Sequence, residues 1–336
     1  MDIWNFTENN QGELTIPDGF TRAASRGLAV ALGYFDGVHA GHREILRVLQ
    51  AVAKERRIPA AVHTFVSMPK SKTIHTQNRD NSHLTTVSEK CGLFEQLGVD
   101  QTVLFPFSDS ISSMRAEDFL QLYIKDLMHT NVVVAGEDYR FGRDQEGDMA
   151  FMSSWGERNG VTVIAVPPVF YQERIISSTW IRDCIRRGEV KLATDLLGCP
   201  ISYDGIVQEG KRLGRTLGFP TANLTIDDDK VIPAYGVYAS VLVVNRKTYA
   251  SVTSVGLRPT VNTTDPSPLI ETMVYDCNMD LYGQQIRVYL IAYMRPEIRF
   301  PDIHSLTEQV DKDLAEVRQF HNVHSGDYSN LLSCVI

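Results

Sequence analysis

The stretch Leu28–His42 constrains the fold of this 336-residue chain more than any other segment. It begins with Leu28–Leu32, an unbroken run of small and branched apolar residues, which is typical of a strand buried on both faces of a parallel sheet. Gly33 and Gly37 then interrupt the strand, and residues 39–42, which read HAGH, lead into a segment with helical periodicity. The sequence therefore predicts a buried strand, a glycine-bearing turn and a helix in direct succession.

This succession predicts a site for an anion. The first N–H groups of a helix have no partner within the helix, and the helix dipole favours negative charge there. His39 and His42 would lie at that helix start and could donate to a phosphate whose charge grows in a transition state. Two other interpretations are an exposed histidine pair and a metal site. Zinc is disfavoured because no cysteine or third histidine lies nearby at ligand spacing.

The composition is that of an ordinary globular protein long enough for two domains. The chain is 43% hydrophobic and 22% charged, and its net charge of −8 disfavours a general nucleic-acid-binding role. No apolar run is long enough to span a bilayer, and the N-terminus lacks the pattern of a secretory signal. The five cysteines are scattered and form no C-x-x-C pair, which favours reduced thiols. We therefore expect a cytoplasmic protein with no membrane partner.

Strand-like and helical segments alternate over the first half of the chain. After an edge strand before residue 28, the predicted strands are Leu28–Leu32, Ala60–Phe65, Gln101–Phe105, Val132–Ala135 and Val161–Val166. The predicted helices are Arg43–Lys54, a helix that Thr86 and Glu89 begin with a capping box, Arg115–Met128 and Met149–Arg158. This alternation predicts a parallel sheet with crossover helices, in which ligands bind beyond the carboxyl ends of the strands.

Two further segments of this half carry residue types suited to ligands. The loop 136–148 has glycines at both ends and Phe141 offers a flat ring, although a loop of this composition is more often only a loop. In the segment 176–182, Ser177 or Ser178 can cap the following helix. The same hydroxyls could instead hold a polyphosphate, with Arg182 making a bidentate contact.

The pattern changes near residues 188–200, where we place a domain boundary. A short helix at Val190–Leu197 is followed by the predicted strands Tyr203–Val207, Gly236–Val244, Thr248–Val255, Leu269–Tyr275 and Gln285–Tyr293. These predict an all-β module, a small barrel, against which a terminal helix at residues 304–320 packs. No clear pattern follows from Ser325 onward.

The β-module opens with a second set of phosphate-binding residue types. Gly210, Arg215 and Gly218 belong to a loop rich in glycine and cations, and residues 220–223 read PTAN. Such a loop can wrap phosphates, while Thr221 and Asn223 can offer oxygen atoms to Mg²⁺. The alternative is a pair of ordinary β-turns.

Four motifs together resemble those of bacterial bifunctional riboflavin kinase/FAD synthetases. Residues 33–42, GYFDGVHAGH, look like their version of the nucleotidyltransferase H-x-G-H motif. Residues 136–142 resemble the family segment G-x-D/N-F-x-F-G, and residues 176–182 resemble I-S-S-T-x-I-R. Residues 218–224 carry the riboflavin kinase signature G-F-P-T-A-N-L intact. Further family-like segments extend the resemblance over about residues 14–320.

The resemblance implies two domains and two reactions. Residues 1–187 would form a Rossmann-like FMN adenylyltransferase domain, and residues 188–336 a riboflavin kinase β-barrel with a terminal helix. The kinase would make FMN from riboflavin and ATP with Mg²⁺ as cofactor. The other domain would join FMN to the AMP part of ATP, giving FAD and pyrophosphate. The partners would be riboflavin, FMN, FAD and ATP, with the oligomeric state left open.

The resemblance also implies a role for each motif residue. Glu271 matches the catalytic base of the kinase, and His39, His42 and Arg182 would stabilise charge in adenylyl transfer. Thr221 and Asn223 would also bind the metal. The expected nucleotide-binding residues are Gly33, Phe35, Asp36, Gly41, Ser177, Ser178, Thr179, Gly210, Arg215, Gly218, Thr221 and Asn223. The expected flavin-binding residues are Phe65, Asp138 and Phe141.

One segment departs from the family pattern. The family continues its second strand with T-F-x-P-H-P, whereas residues 64–70 read TFVSMPK and lack the histidine. The alternative interpretation is therefore a riboflavin kinase whose N-terminal domain binds nucleotide but adenylylates poorly. A flavin sensor without activity is disfavoured by the retained residues Glu271, Thr221, Asn223, His39 and His42.

Overall fold

A computed structural model describes most of the chain, which divides into two compact units. The described residues are 1–9, 13–66, 82–208, 219, 221–227, 229–257, 268–275, 279 and 281–332, with side chains up to residue 324. The first unit contains Met1–Asn81 and Thr85–Ser177, and the second contains Ser82–Leu84 and Ser178–Ile336. This division follows Ser177, whereas the domain boundary after residue 187 stays a prediction.

A six-stranded parallel sheet forms the centre of the first unit. The strands of this unit are β1 (Asp2–Asn5), β2 (Thr7–Glu8), β3 (Leu14–Thr15), β4 (Leu28–Leu32), β5 (Ala60–Phe65), β6 (Gln101–Phe105), β7 (Thr130–Gly136), β8 (Thr162–Val166), β9 (Phe170–Tyr171) and β10 (Arg174–Ile175). The sheet runs β1-β6-β5-β4-β7-β8, and β2 with β3 and β9 with β10 form separate hairpins. The predicted parallel sheet and its edge strand are confirmed.

The central strand β4 is buried on both faces, as its apolar run predicts. Leu28, Val30 and Leu32 pack into one core cluster of the first unit. Ala29 and Ala31 point the other way and pack into a second cluster. Alternate side chains of one strand therefore join two cores, which explains why β4 has no polar residue.

Helices connect these strands. They are α1 (Phe20–Ala24), α2 (Ala40–Arg56), α3 (Val87–Gln96), α4 (Asp109–Ser112), α5 (Ala116–Asp118) and α6 (Met149–Asn159), with a π-helix at Phe119–Leu127 and 3₁₀ turns at Asp36–Val38 and Arg143–Gln145. The capping box is confirmed, because Thr86 Oγ1 accepts a hydrogen bond from Glu89 N at 3.2 Å and Glu89 Oε2 accepts one from Thr86 N at 2.8 Å. The helix predicted at residues 115–128 is instead α5 followed by the π-helix.

The second unit is an antiparallel barrel flanked by helices. Its elements are α7 (Ser178–Arg186), α8 (Val190–Leu197), β11 (Ser202–Ile206), β12 (Ala222–Thr225), β13 (Gly236–Val244), β14 (Lys247–Leu257), β15 (Pro268–Val274), β16 (Gln285–Pro296) and α9 (Ile303–Leu332). The strands run β11-β16-β13-β14-β15-β12. Gln208 N, just after β11, donates to Asn223 O of β12 at 3.1 Å, so the two edges meet and the barrel nearly closes. The predicted small barrel is confirmed.

Two assignments in this unit are corrected. Residues 222–225 form strand β12 rather than part of a turn, because Ala222 and Leu224 are buried at alternate positions against β15. The terminal helix α9 continues to Leu332 instead of ending near residue 320. Its predicted packing on the barrel is confirmed by Phe320, which lies against a cluster of barrel side chains. Nowhere in the described ranges does a helix have the length and apolarity needed to cross a membrane.

His63 of β5 is a polar residue in the core of the first unit. Its side chain is fully buried, and neither ring nitrogen has a hydrogen-bond partner among the described residues. The rings of Phe65, Phe105 and Phe119 surround it, at centroid distances of 5.2, 4.6 and 5.8 Å. Burial lowers the pKa of His63 to about 3.

We expect His63→Leu to reduce the sensitivity of the first unit to acid. The pKa of His63 is about 3 when folded and near its ordinary value of 6.5 when unfolded, so between these pH values the unfolded chain binds more protons. Stability then falls as the pH falls through this window, and leucine removes that contribution. From pH 7 to pH 5 the wild type should lose about 2 kcal/mol more of its free energy of unfolding than the variant does.

Urea unfolding of the two proteins at pH 7 and pH 5 measures this difference. His304→Leu is the control, because it removes a histidine whose side chain is 85% exposed and lies 3.2 Å from Glu308, and its pH dependence shows what the loss of a surface histidine contributes. Equal pH dependence in the wild type and His63→Leu would contradict the burial of a neutral imidazole at this position.

Candidate active sites

The turn between β4 and α2 places two histidines at the carboxyl edge of the parallel sheet. His39 is the N-cap of α2, and its Nδ1 accepts a hydrogen bond from His42 N at 3.4 Å. The two imidazole rings stack with their centroids 3.6 Å apart and their planes 19° apart. Gly41 permits this stacking, because a Cβ there would lie 3.1 Å from the His39 ring. The predicted strand, glycine turn and helix start are therefore present as one arrangement.

Both imidazoles are neutral at pH 7. Burial lowers the pKa of His39 to about 4. The pKa of His42 is well below its ordinary value. Burial is the largest cause, and the nearby His39 and Lys90 lower the pKa further. Because Nδ1 of His39 accepts a hydrogen bond, its proton lies on Nε2, which is then a donor. The Nδ1 atom of His42 is buried and has no hydrogen-bond partner in the described part of the chain. The pair can thus offer N–H donors to an anion without carrying charge beforehand.

Phe35 and Asp36 attach this turn to helix α3. Phe35 is buried and packs edge to face on Phe94 at 5.6 Å. Gly33 allows the close approach of the Phe35 ring, since a Cβ there would lie 2.9 Å from it. Asp36 is also buried, and its Oδ1 accepts a hydrogen bond from Thr85 N at 3.3 Å. These contacts hold the backbone that a nucleotide would meet.

The predicted flavin-binding residues follow β5 and β7, the two neighbours of β4. Phe65 ends β5, with its ring 4.9 Å from that of Phe107. Asp138 is exposed and folds back over Gly136, because a Cβ on Gly136 would lie 2.9 Å from Asp138 Oδ1. Phe141 is 7% exposed and stacks on Tyr139 at 5.6 Å within a core cluster. It therefore presents no open ring face, in contrast to the flat surface that the sequence suggested.

The hydroxyl-rich segment lies where the chain passes from the first unit to the second in sequence. Ser177 ends the first unit, and Ser178, Thr179 and Arg182 lie in the first turns of α7 in the second. Arg182 donates to Thr179 Oγ1 at 3.2 Å. The opposite face of α7 is buried through Trp180, Ile181, Cys184 and Ile185. The helix thus brings a hydroxyl group and a guanidinium group together, a pair suited to a phosphate.

The second candidate site is a cross-strand row on the outer face of the barrel. Glu271 of β15 lies opposite Asn223 of β12 on one side and opposite Ser254 of β14 on the other. The row continues through Val237 of β13 to Arg295 of β16. Glu271 is exposed although β15 is not an edge strand of the sheet.

A cavity of about 400 Å³ lies over the part of this row that runs from Glu271 to Arg295. Glu271 and Thr221 supply polar atoms to its wall, and the apolar lining includes Phe219, Val237, Met273, Leu306 and Val310. Arg295 and Asp313 also line it, and the Arg295 guanidinium donates to both carboxylate oxygens of Asp313 at 2.7 and 2.5 Å. A largely apolar cavity with a carboxylate in its wall suits a flat aromatic ligand that carries a hydroxyl group.

The oxygen donors around Glu271 fit a divalent metal. Asn223 of β12 pairs with Glu271, and Thr221, which directly precedes β12, lines the same cavity as Glu271. Hydroxyl, amide and carboxylate oxygens are ligands that Mg²⁺ accepts, usually completed by substrate phosphates. In the part of the chain that the structure describes, no group of three or more His, Cys, Asp or Glu residues could hold a metal. A metal here would therefore depend on these oxygens and on a bound nucleotide.

Some predicted residues lie outside the described residues, and other residues were missed. Gly210, Arg215 and Gly218 are outside, as are residues 67–70 of the segment that departs from the family pattern. Sequence reasoning missed Arg295, Asp313 and Lys90. Asp313 lies beside the apolar stripe of α9, which was the available signal for it. Lys90 gave no signal, because it reads as an ordinary helix lysine.

Comparison with known proteins identifies both halves of the chain. A family model described as FAD synthetase matches residues 21–180, and one described as riboflavin kinase matches residues 197–321. A Bacillus subtilis bifunctional riboflavin kinase/FMN adenylyltransferase is 34% identical over 92% of this chain and 98% of its own length. The Escherichia coli K12 protein of the same name is 32% identical over 89% of this chain and 95% of its own length.

A solved structure extends the similarity to the fold. The crystal structure of a protein from Streptococcus pneumoniae, named there a macrolide-efflux protein, superimposes with a TM-score of 0.78 at 34% identity. The match covers 87% of this chain and 94% of that one. Taken with the two sites, these similarities show that the chain belongs to the bifunctional riboflavin kinase/FMN adenylyltransferase family.

Proposed function

We propose that this chain phosphorylates riboflavin to FMN and then adenylylates FMN to FAD. The observation that carries the proposal is the surroundings of His39, His42 and Glu271, which suit the roles that the resemblance implies for these residues. His39 and His42 stack at a helix start as neutral donors, and Glu271 stands exposed in the wall of a cavity. Each lies in the region that matches the corresponding family model.

In the kinase reaction, the cavity of the barrel would hold the flavin ring with its 5′-hydroxyl near Glu271. The Glu271 carboxylate accepts the hydroxyl proton while the oxygen forms a bond to the γ-phosphorus of ATP. The bond from that phosphorus to the β-phosphate oxygen breaks, and ADP leaves. Thr221 and Asn223 would hold a divalent metal, which we propose to be Mg²⁺. When bound, the metal neutralises charge on the ATP phosphates.

In the second reaction, a phosphate oxygen of FMN attacks the α-phosphorus of ATP. The bond to the β-phosphate breaks and pyrophosphate leaves. No base is needed, because the FMN phosphate is already ionised at neutral pH. His39 and His42 would donate to the reacting phosphate, and catalysis would come from orientation and charge stabilisation.

The resemblance assigns the other motif residues of the adenylylation site by role. We propose that Gly33, Phe35, Asp36 and Gly41 shape the nucleotide side. Ser177, Ser178, Thr179 and Arg182 would hold the departing pyrophosphate, while Phe65, Asp138 and Phe141 would form the flavin side. For Phe141 this is the role of a supporting side chain, because its ring is buried.

The proposal includes small-molecule partners and a cytoplasmic location. The partners are riboflavin, FMN, FAD and ATP, and the supply of ATP favours the cytoplasm. A net charge of −8 supports the expectation that nucleic acid is not a partner, and we propose no membrane partner. The oligomeric state is not part of the proposal.

The purified chain incubated with riboflavin, ATP and Mg²⁺ tests the proposal. Chromatographic separation should show FMN first and FAD later. FMN without FAD would favour the alternative of a kinase that adenylylates poorly, for which the missing histidine in residues 64–70 is the supporting observation. If neither FMN nor FAD forms, both the proposal and this alternative are overturned. Replacing Mg²⁺ with Ca²⁺ or with a chelator tests the metal, and unchanged FMN formation would contradict it.

A further inference from the structure

Lys90 is a buried cation beside the turn 34–38, which precedes His39. It has no role in the two reactions proposed above. It lies in the first turns of α3 and is 2% exposed. Its Nζ donates to the Tyr34 carbonyl at 2.8 Å and lies 4.2 Å from the centroid of the Tyr34 ring. Burying a lysine is costly unless its charge is compensated, and the carbonyl and ring of Tyr34 provide that compensation. The reason for burying a lysine at this position needs an explanation.

The turn that Lys90 contacts has a strained backbone. Phe35 has a φ of 55° and Val38 a φ of 44°, in the left-handed region that non-glycine residues rarely adopt. The strain is greatest for Val38, because its side chain branches at Cβ. Such a conformation persists only where the surrounding structure determines it.

Four side chains from outside the turn hold its backbone, and one of them, Thr64, donates through its Oγ1 to the Tyr34 carbonyl at 2.9 Å. Lys90 binds the carbonyl of Tyr34, the first residue after Gly33. Thr85 Oγ1 accepts a hydrogen bond from Gly37 N at 3.0 Å. Arg43 Nε donates to the Val38 carbonyl at 3.1 Å. Lys90 and Thr64 thus fix the beginning of the turn, five residues before His39, and of these two donors only Lys90 carries a charge.

We infer that Lys90 is a positioning residue for adenylyl transfer, which holds the strained turn 34–38 so that His39 and His42 meet the phosphate in one geometry. The inference rests on the proposed function of the first unit. Lys90 acts through the Tyr34 carbonyl, and its effect on the reaction is therefore indirect. A displacement of about 1 Å at a reacting group can cost on the order of 100-fold in rate.

The charge of Lys90 gives the inference a pH dependence. The groups that face it are Asp36 of the turn, His42 of α2 and Cys91 of its own helix. Burial lowers the pKa of Lys90 to about 8, and the Asp36 and Cys91 groups oppose that shift. Above this pH the amine is neutral, and it loses both the charge-assisted hydrogen bond and the attraction to the Tyr34 ring. The turn should therefore loosen as the pH rises through 8.

The test compares Lys90→Met, which keeps the side-chain length without the charge, with Lys90→Arg, which keeps a cation. We measure kcat/KM of ATP in the conversion of FMN to FAD from pH 6 to 10, with riboflavin phosphorylation as an internal measure of intact protein. Lys90→Met should lower kcat/KM on the order of 100-fold and lack the decline near pH 8. Lys90→Arg should retain most of the rate and shift the decline to above pH 9.

Cys91→Ser is the matched control, because it changes a titratable neighbour of Lys90 and should keep the decline near pH 8. Hydrogen exchange of residues 34–42 provides a second readout that does not need activity. After correction for intrinsic rates, exchange in the wild type should accelerate between pH 7 and pH 9 more than in Lys90→Arg.

The outcomes separate the inference from the function on which it rests. A wild type that makes FMN but no FAD overturns the proposed adenylylation, and this inference with it. A wild type that makes FAD, with Lys90→Met as active as the wild type, overturns only the inference. If kcat/KM of Lys90→Arg declines near pH 8 as in the wild type, this also overturns only the inference. If Lys90→Met fails to fold, the comparison of the wild type with Lys90→Arg decides.

Discussion

Glu271→Gln is expected to lower the rate of FMN formation from riboflavin by at least about 100-fold and to leave the conversion of FMN to FAD unchanged. Glutamine keeps the size of the side chain but cannot accept the hydroxyl proton. A positioned general base typically contributes 10²- to 10⁴-fold. Glu271 has the position for this role, because it is exposed on the cavity wall between Asn223 and Ser254. The two rates are measured separately, with riboflavin or FMN as the flavin substrate.

Glu297→Gln is the matched control for this prediction. Glu297 lines the same cavity but follows the end of β16, whereas Glu271 lies within β15 opposite Asn223. Its replacement removes one carboxylate charge without removing the proposed base, and we expect kcat for FMN formation to stay within about tenfold of the wild type. Equal losses in the two variants would show that cavity charge, rather than proton transfer to Glu271, determines the rate. Loss of both activities in Glu271→Gln would contradict the division of labour between the two units.

His42→Ala is expected to have the converse effect, a loss of about 10²- to 10³-fold in FAD formation with FMN formation unchanged. The imidazole of His42 is neutral because burial, together with the nearby His39 and Lys90, keeps its pKa well below the ordinary value. It can therefore donate a hydrogen bond to a phosphate as negative charge develops. Its stacking on His39 at 3.6 Å means that alanine also removes support for the second ring.

His42→Gln distinguishes the donor from the packing, because glutamine keeps an N–H group but not the aromatic ring. A rate between those of the wild type and His42→Ala would indicate that both contributions matter. His129→Ala is the control, since His129 is exposed just before β7. FAD formation at the wild-type rate in His42→Ala would remove this histidine from the mechanism.

The local pattern of the sequence was enough to predict most elements of both units. The apolar run of β4, the helical stripe of α2 and the capping box of α3 are all interactions between residues close in the chain, so the sequence displays them directly. Several elements were not predictable in this way, and two of them show why. Over only nine residues, a π-helix and an α-helix place apolar side chains in similar positions. The sequence pattern therefore does not distinguish the π-helix at 119–127 from an α-helix. Strand β12 has only four residues and acquires its conformation by pairing with β15.

The motifs likewise located His39, His42 and Glu271, but not the environments that give these groups their chemistry. The pKa of an imidazole depends on how much water surrounds it, and α2 and the turn exclude that water only once they pack on the sheet. Lys90 shows the same separation most clearly. In the sequence it is one lysine of an amphipathic helix, and only the packing of α3 against the 34–38 turn buries it on the Tyr34 carbonyl. The sequence alone determined which groups are available for catalysis, whereas tertiary packing decided their charge and position, because both depend on neighbours distant in the chain.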